Sequence, residues 1–432
     1  VQNAQLDGLA GILDLITAVS GRNNYITLLT EQPALTNHLL NIAANAAWLI
    51  HYIAAHPLVL DDLNNERRLP PGRTALQQDL TARLQNIDDE ETWQHALRDY
   101  KHVQTFKTAW ADIHGHLPLM QVSDQLSHIA ETTLQAALEH AEHTLREKHG
   151  IPRKADGSPA EIAIIGYGKL GGLELGYGSD LDIIYLYDDG DTDGMTDGEK
   201  PIDNQRYYTR LAQRTSNLLG AASSNGTIYT IDTRLRPGGA SGLPAVSIQG
   251  FARYQRENAW TWEHQALTRS RPVAGSATLA ARYTALGERY TRLRHELLTR
   301  PAKATLREDI LAMRQKMHDN AAPLPPDTFH LKQSAGGLID IEFIVQYLLL
   351  AHGEAEPILS RMSDNIRQLA ALEATGILTS SQAMTLRDAY RKLRAEAHHR
   401  QLNDRDKRVP AAPWQELRDN ICAIWRDIFA LN

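Results

Sequence analysis

The sequence predicts a mostly helical protein with a small α/β domain at its centre, and three observations support this fold class. Apolar residues recur at three- and four-residue steps through most of residues 1–150. The same helical spacing returns from Ile248 to the end of the 432-residue chain. Between these regions, short apolar runs predict strands. We therefore expect a helical region over residues 1–150, an α/β domain over 151–275 and a helical bundle over 276–432.

The amino-terminal region shows its helical pattern most clearly in the first predicted helix. Apolar side chains at helical spacing mark one face of this helix, formed by Leu9, Ile12, Leu13, Ile16 and Val19. The spacing of apolar residues changes at Gly150, so we place the end of this region there.

The central domain is predicted to contain three strands and one long helix. The runs Ile162–Ile165, Leu181–Tyr187 and Thr227–Leu235 predict the strands. The helix lies between the last two runs, with Tyr207, Leu211, Thr215, Leu218, Leu219 and Ala222 on one face. No strand is predicted after Ile248, where the helical pattern resumes.

The composition argues against two classes of partner. Because 45 Lys and Arg residues oppose 52 Asp and Glu residues, the net charge is −7, and we expect no nucleic-acid partner. Polar residues interrupt the most apolar stretch, Leu39–Leu60, so we expect no membrane partner. We expect a cytoplasmic protein, which the single cysteine, Cys422, also favours. The first residue is Val1, which fits either a piece of a longer protein or a processed chain.

A glycine-rich segment follows the first predicted strand. Gly166, Gly168 and Gly171 fit the dinucleotide-binding fingerprint G-x-G-x-x-G. That fingerprint requires a full crossover helix before the next strand. Only about a dozen residues separate Gly168 from the next predicted strand, which leaves no room for such a helix. We therefore reject a nicotinamide or flavin site.

Two aspartates open the second predicted strand. Side chains two positions apart on a strand point to the same face, so Asp180 and Asp182 should project together. Carboxylates beside a glycine-rich turn can hold Mg²⁺ against the phosphates of a nucleotide. Two solvated aspartates at the start of an edge strand are the alternative.

The third predicted strand carries a further carboxylate and two arginines. Asp232, Arg234 and Arg236 would share one face of that strand. Asp232 would complete a two-metal site, and the planar guanidinium groups would bind phosphate oxygens. A surface ladder of ion pairs is the alternative, but the whole constellation favours a catalytic site.

These motifs resemble the nucleotidyltransferase fold of the DNA polymerase β superfamily, and within it the glutamine synthetase adenylyltransferase family. The resemblance covers nearly the whole chain. The matching segments are 167–172, 174–182, 232–237, 259–267, the Arg269 and Arg271 pair, and 336–343. The Gly-Tyr-Gly-Ser sequence before Asp180 resembles the carboxy-terminal half of that family, which attaches AMP, rather than the half that removes it.

The resemblance implies transfer of AMP from ATP to a tyrosine hydroxyl of glutamine synthetase, with release of pyrophosphate. It also implies Mg²⁺, with Mn²⁺ as an alternative, and regulation by glutamine and by the PII signal-transduction protein. Alternatives are a related transferase with another acceptor, such as a uridylyltransferase of signalling proteins, the AMP-removing half, or a regulatory module with an inactive nucleotide pocket.

The resemblance also suggests a role for each candidate residue. Asp180, Asp182 and Asp232 would be the catalytic residues and metal ligands, and Asp232 is also a candidate proton acceptor. The candidate nucleotide-binding residues are Gly168, Lys169 and Ser179 for the β- and γ-phosphates, Arg234 and Arg236 for the α-phosphate or the target, and Arg269 at the cleft.

The candidate Arg269 lies on a predicted helix with two tryptophans. Trp262 and Arg269 are seven residues apart and would share one face of that helix. Tryptophans at helical spacing usually belong to a core, so Trp260 and Trp262 are predicted to be buried.

Weaker signals lie elsewhere in the chain. Asp189, Asp191 and Asp193 match part of a calcium-binding loop, but Lys200 replaces its final glutamate, so a solvated connection is favoured. Two residues of a predicted helix cannot share a face at a spacing of two, so at most one of Asp340 and Glu342 would face the site. Other candidates are Lys332, which could reach a phosphate, and His398 and His399, which we expect at the surface.

Overall fold

The computed structural model describes residues 2–21, 23–62, 69–188, 190, 194–221, 226–284, 292–299 and 304–431. The helices are α1 (Gln2–Val19), α2 (Asn23–Glu31), α3 (Pro33–Asn45), α4 (Ala47–Ala55), α5 (Arg73–Leu84), α6 (Glu90–Ile113), α7 (Leu119–His149), α8 (Gly168–Gly171), α9 (Asn204–Gly220), α10 (Ile248–Glu257), α11 (Thr261–Leu267), α12 (Ala277–Thr284), α13 (Arg292–Leu298), α14 (Leu306–Asp319), α15 (Leu338–His352), α16 (Asn365–Ala374), α17 (Ser380–Leu402) and α18 (Gln415–Ile428). The strands are β1 (Glu161–Gly166), β2 (Leu181–Asp188), β3 (Ile231–Asp232), β4 (Ala245–Ser247), β5 (Arg271–Gly275), β6 (Thr328–His330) and β7 (Arg408–Pro410). The predicted fold class, helices on either side of a small central sheet, is confirmed.

The central sheet is mixed, and β1 and β2 lie in its middle. β1 pairs antiparallel with β2 on one side and with β5 on the other. β3 and β4 both pair parallel with β2, at its beginning and towards its end. The first two predicted strands are confirmed, because β1 and β2 contain the runs Ile162–Ile165 and Leu181–Tyr187.

Each face of the sheet belongs to a different hydrophobic core. Side chains alternate along a strand, so Ile162 and Ile164 of β1 point to one face while Ala163 and Ile165 point to the other. The first face packs in a core with the amino-terminal helices and α9, and the second packs with the helices that follow β4. The sheet is therefore covered by helices on both sides.

The third predicted strand is wrong in length. β3 contains only Ile231 and Asp232, and the chain turns directly after them. The expectation that strands end before Ile248 is also wrong, because β5 joins the sheet beside β1. β5 begins Arg271-Pro272, and a proline with so few β-branched neighbours gives no strand signal in the sequence.

The first helix forms where it is predicted, but its buried face differs. Leu9, Leu13 and Ile16 are exposed, whereas Leu15 and Val19 are buried. α1 packs on α3 and α4, and Gly11 approaches α4 closely: a Cβ built there would lie 2.3 Å from the Ile50 side chain. The position of the small residue, rather than of the largest apolar ones, thus decides which face meets α4.

The transition from the amino-terminal helices to the sheet occurs at Gly150, as the sequence indicates. α7 ends at His149, and Gly150 adopts a φ of +79°. A Cβ at Gly150 would lie 2.2 Å from the backbone nitrogen of Gly198. Both the positive φ and this close approach require glycine. None of the helices in the described residues combines the length and apolarity needed to cross a bilayer.

Candidate active site

The glycine-rich turn between β1 and β2 is shaped by close backbone approaches. Gly168 has a φ of +53°, and a Cβ there would lie 2.5 Å from Oδ2 of Asp182. A Cβ at Gly171 would lie 1.9 Å from the Arg269 carbonyl oxygen. The helix in this turn, α8, has four residues, and β1 and β2 are antiparallel. A dinucleotide-binding unit needs a crossover helix and parallel strands, so its rejection is confirmed.

The turn and the neighbouring strands place three carboxylates at one end of the sheet. Asp180 immediately precedes β2, Asp182 lies on β2, and Asp232 lies on β3. Parallel pairing places Asp182 and Asp232 side by side in register. All three line a cleft of about 390 Å³. We call Asp180, Asp182 and Asp232 the acidic edge.

The members of the acidic edge differ in electrostatic environment. Burial raises the pKa of Asp182 to about 6, and the negative charges of Asp232 and Asp180 contribute to the rise. Hydrogen bonds from Arg234 lower the pKa of Asp232 below its usual value, against the effect of burial. Burial and the neighbouring carboxylates therefore disfavour the charged form of Asp182, and a bound cation would offset this effect.

The chemistry of the acidic edge fits a hard divalent cation, which prefers carboxylate oxygens. Within the described ranges, however, no three acidic, histidine or cysteine side chains already converge closely enough to hold a metal ion. Arg234 binds both carboxylate oxygens of Asp232, and its own side chain is 78% exposed. Arg234 can therefore swing into solvent or onto a phosphate, and this movement would free Asp232 as a ligand.

Four cationic side chains line the same cleft in addition to Arg234 and Arg269. Lys169 lies in the glycine-rich turn, Lys332 follows β6, Arg394 lies on α17, and Lys407 precedes β7. We call these four residues the basic wall. Burial and the positive charges of the other three lower the pKa of Lys169 to about 8. Burial and Lys332 also lower the pKa of Lys407. The mutual repulsion favours an anionic ligand.

A buried ion-pair network supports the floor of the cleft. The side chain of Arg269 is 7% exposed and donates to Glu174 and, at 2.8 Å, to Glu342. Tyr390 donates to Glu174 at 2.6 Å. Burial alone would raise the pKa of Glu174, but Arg269 and Arg394 hold it below its usual value. This network joins the loop before β2 to α15 and α17.

The surroundings predicted for Arg269 and the two tryptophans differ from those in the structure. α11 ends at Leu267, so Arg269 lies beyond the helix and shares no helical face with Trp262. The prediction that Trp260 and Trp262 are buried is wrong, because their exposed fractions are 69% and 38%. Arg269 nevertheless lines the cleft, as the resemblance implies.

The two arginines after Asp232 lie in a turn and not on a strand face, which corrects the prediction. Because β3 ends at Asp232, Arg234 folds back onto that residue. Arg236 donates to the carbonyl oxygens of Thr233, Ala240 and Gly242 and does not line the cleft. Its contacts identify it as a support for the turn that follows Asp232.

Tyr177 connects the loop that carries Ser179 to residues of both helical regions. The Tyr177 ring stacks on Trp48, and its hydroxyl donates to Asp112 at 2.9 Å. His398 of α17 bonds the same Asp112 oxygen at 2.6 Å. Ser179 itself accepts hydrogen bonds from Gly176 N at 3.1 Å and Lys169 Nζ at 3.4 Å. The expectation that His398 is a surface residue is wrong, since its side chain is 13% exposed.

Weaker sequence signals have mixed outcomes. Glu342 lines the cleft while Asp340 pairs with Arg314 at 2.5 Å, which confirms that only one of the two faces the site. Lys332 also lines the cleft. The partial calcium-loop residues Asp189, Asp191 and Asp193 lie outside the described residues. Arg394 and Lys407 carry no local sequence signal and were missed.

Comparisons with known proteins identify the family of the chain. The model of the glutamate-ammonia ligase adenylyltransferase family matches residues 36–285, and that of GlnD PII-uridylyltransferase matches residues 303–415. The chain is 42% identical over 427 residues to the bifunctional glutamine synthetase adenylyltransferase/adenylyl-removing enzyme of Thioalkalivibrio sulfidiphilus, covering 97% of this chain and 43% of that protein. The enzyme of the same name from Pseudomonas aeruginosa is 41% identical over 448 residues, covering 99% of this chain and 45% of that protein.

A third relative of that name, from Pseudomonas syringae pv. tomato, is 42% identical over 436 residues, which are 96% of this chain and 44% of that protein. The chain thus spans less than half the length of these relatives. The first family model covers more than half of the chain and includes the whole acidic edge. The resemblance found in the sequence is confirmed, and the chain belongs to the glutamate-ammonia ligase adenylyltransferase family.

Proposed function

We propose that this chain transfers AMP from ATP to a tyrosine hydroxyl of glutamine synthetase and releases pyrophosphate. The observation that carries the proposal is the pairing of the acidic edge with the basic wall across one cleft. A nucleoside triphosphate carries negative charge that needs cations, and a two-metal transferase needs carboxylates beside the reacting phosphorus. The family and the names of the relatives support glutamine synthetase as the acceptor.

The acidic edge would hold the divalent cation, Mg²⁺ or Mn²⁺. Asp180 and Asp182 would hold the cation, and Asp232 would contribute to this site if Arg234 released its carboxylate. When bound, the cation would add positive charge at the α-phosphate and the leaving oxygen. Arg234 would then be free to donate to an α-phosphate oxygen through its planar guanidinium.

The basic wall would hold the β- and γ-phosphates. Lys169 lies in the glycine-rich turn close to Ser179, whereas Lys332 and Lys407 lie on the segments next to β6 and β7. The α-phosphate would then lie between the wall and the acidic edge. The tyrosine hydroxyl would give up its proton, for which Asp232 is the candidate acceptor, and its oxygen would attack the α-phosphorus. The bond from that phosphorus to the oxygen shared with the β-phosphate would break in line. Pyrophosphate would leave towards the wall.

The test is to incubate the chain with ATP, a magnesium salt and glutamine synthetase, and to weigh the acceptor by mass spectrometry. One AMP added to a tyrosine is the expected result, and Asp182→Asn should prevent it. Asp388→Asn is the matched control, because Asp388 is an exposed residue of α17 that pairs with Arg391 and lies outside the cleft. Equal labelling by the wild type and Asp182→Asn would contradict the proposal.

Two alternative activities are separated in the same assay. The relatives are bifunctional by name, so adenylylated glutamine synthetase with inorganic phosphate tests for AMP removal as the activity of this half. Because residues 303–415 match PII-uridylyltransferase, transfer of UMP from UTP to PII is the second alternative reaction to be assayed. Transfer from UTP but not from ATP would assign the chain to that second chemistry.

Regulation by glutamine and by PII remains part of the proposal. The family assignment supports it, and the second family model is named for an enzyme of PII. The AMP-transfer rate with and without each effector is the measurement. If the rate responds to neither effector, the two effectors would have to act on the part of the longer relatives that this chain does not cover.

A further inference from the structure

A second pocket lies behind the glycine-rich turn, outside the candidate active site. Its volume is about 180 Å³, the space of roughly six water molecules. Four arginines line it, together with His295, serines at 270, 360 and 363, and one carboxylate, Asp364. A pocket with this lining is strongly cationic.

One of these arginines is a buried cation that donates to backbone carbonyl oxygens. Arg294 is 4% exposed, and within the described ranges no carboxylate lies within ion-pair distance of it. Its guanidinium donates instead to backbone carbonyl oxygens, including Leu267 at 3.2 Å and Thr268 at 2.7 Å. Burying a charge without a counter-charge is costly, and proteins normally compensate it. An anion in the pocket would supply that compensation.

Two other arginines of the pocket can donate hydrogen bonds to a ligand. Arg361 is exposed, and the part of the chain that the structure describes gives its side chain no ion-pair partner. Arg367 uses its Nε on Asp364 at 2.8 Å and keeps its terminal nitrogens. Arg271, by contrast, is held by Glu131 and by backbone oxygens. The planar guanidinium groups of Arg361 and Arg367 match the geometry of an oxyanion.

The pocket adjoins the turn that forms the active-site cleft. The Gly171 carbonyl oxygen accepts hydrogen bonds from Arg271 Nε at 3.1 Å and from Ser363 Oγ at 2.7 Å. Leu173, which lines the pocket, has a φ of +53°, a backbone conformation that non-glycine residues rarely adopt. Such backbone strain tends to occur where a ligand binds.

We propose that this pocket binds a small oxyanion, a phosphate or a carboxylate, through Arg361 and Arg367 and in the field of Arg294. The site is separate from the acidic edge and the basic wall, and the proposal does not depend on the transfer reaction. Because phosphate could also bind to the basic wall, the test must distinguish the two places.

The experiment is calorimetric titration of the whole chain with inorganic phosphate and, separately, with acetate. Arg361→Ala should weaken binding of the anion about tenfold, the effect of losing one charge-assisted hydrogen bond. Arg361→Lys keeps the charge and should bind more tightly than Arg361→Ala. Lys407→Ala removes a cation from the basic wall and should leave binding in the pocket unchanged.

Three results would overturn the proposal. The wild type could bind neither anion, Arg361→Ala could bind both as the wild type does, or Lys407→Ala could remove all of the binding. Thermal melting of Arg361→Ala provides the folding control, and no loss is expected because Arg361 is exposed. If the chain lacks transfer activity but Arg361→Ala still loses anion binding, the pocket stands while the proposed function fails.

Discussion

The acidic edge and the basic wall face each other across one cleft, but they arise in different ways. The acidic edge comes from two neighbouring strands, and the parallel register of Asp182 and Asp232 sets its geometry. The wall is assembled from the glycine turn, the segment after β6, α17 and the segment before β7. Local backbone geometry therefore fixes one side of the site, and tertiary packing fixes the other.

The largest expected effect comes from breaking the acidic edge. Asp182→Asn keeps the shape of the side chain but removes a charge beside the reacting phosphorus, so we expect transfer of AMP to fall about a thousandfold. The rate of labelling of glutamine synthetase measures this loss. Circular dichroism serves as the control for folding, and a fall of less than tenfold would remove Asp182 from the catalytic role.

The next effect concerns the ion-pair network that joins the two sides. Glu174→Gln leaves the buried guanidinium of Arg269 without its most buried partner, so we expect the free energy of unfolding to fall by about 3 kcal/mol. Urea denaturation measures it. Glu342→Gln is the comparison. Because the Glu342 side chain is 21% exposed, this substitution should lower the free energy of unfolding by a smaller amount. Equal losses in the two variants would contradict the ranking by burial.

A smaller effect is expected when the basic wall loses one member. Lys407→Ala should raise the KM for ATP about tenfold, equivalent to 1.4 kcal/mol, and change kcat less, because the remaining three cations still hold the phosphates. Steady-state kinetics separates the two constants. A fall in kcat with an unchanged KM would show that Lys407 acts on the transition state and not on ATP binding.

The smallest effect is a pH dependence that arises in the wall. The pKa of Lys169 is lowered to about 8, so its charge is present below that pH and is lost as pH rises through it. We expect kcat/KM for ATP to fall about twofold between pH 7 and pH 8. Lys169→Arg keeps its charge at both pH values and should flatten this part of the profile. An identical fall in both proteins would assign the titration to another group.

The sequence predicts the acidic side of the site well, for a physical reason. Asp180 and Asp182 are two residues apart at the start of a strand, and such spacing fixes their direction whatever else the chain does. Asp232 lies where expected, but β3 ends there, so the common face assigned to Arg234 and Arg236 does not exist. Strand ends depend on pairing partners, which the local pattern does not contain.

The basic side is largely invisible in the sequence. Arg394 lies within a helix that carries many charged residues, and Lys407 lies in a short connection before β7. No sequence pattern around either residue distinguishes it from the other lysines and arginines at the surface. Likewise, Leu9, Leu13 and Ile16 of α1 are exposed although they lie on the predicted apolar face, and Gly11 sets the contact with α4. Packing partners decide these positions.

The two-sided burial of the sheet bears on how this protein can be divided for experiments. A fragment limited to residues 151–275 would keep α9, α10 and α11 but lose the other helices that cover the two faces of the sheet, so apolar side chains on both faces would be partly exposed to water. We expect such a fragment to aggregate even though it contains the entire acidic edge. Trp48, Asp112 and His398 would also be missing from it, so Tyr177 would have no support.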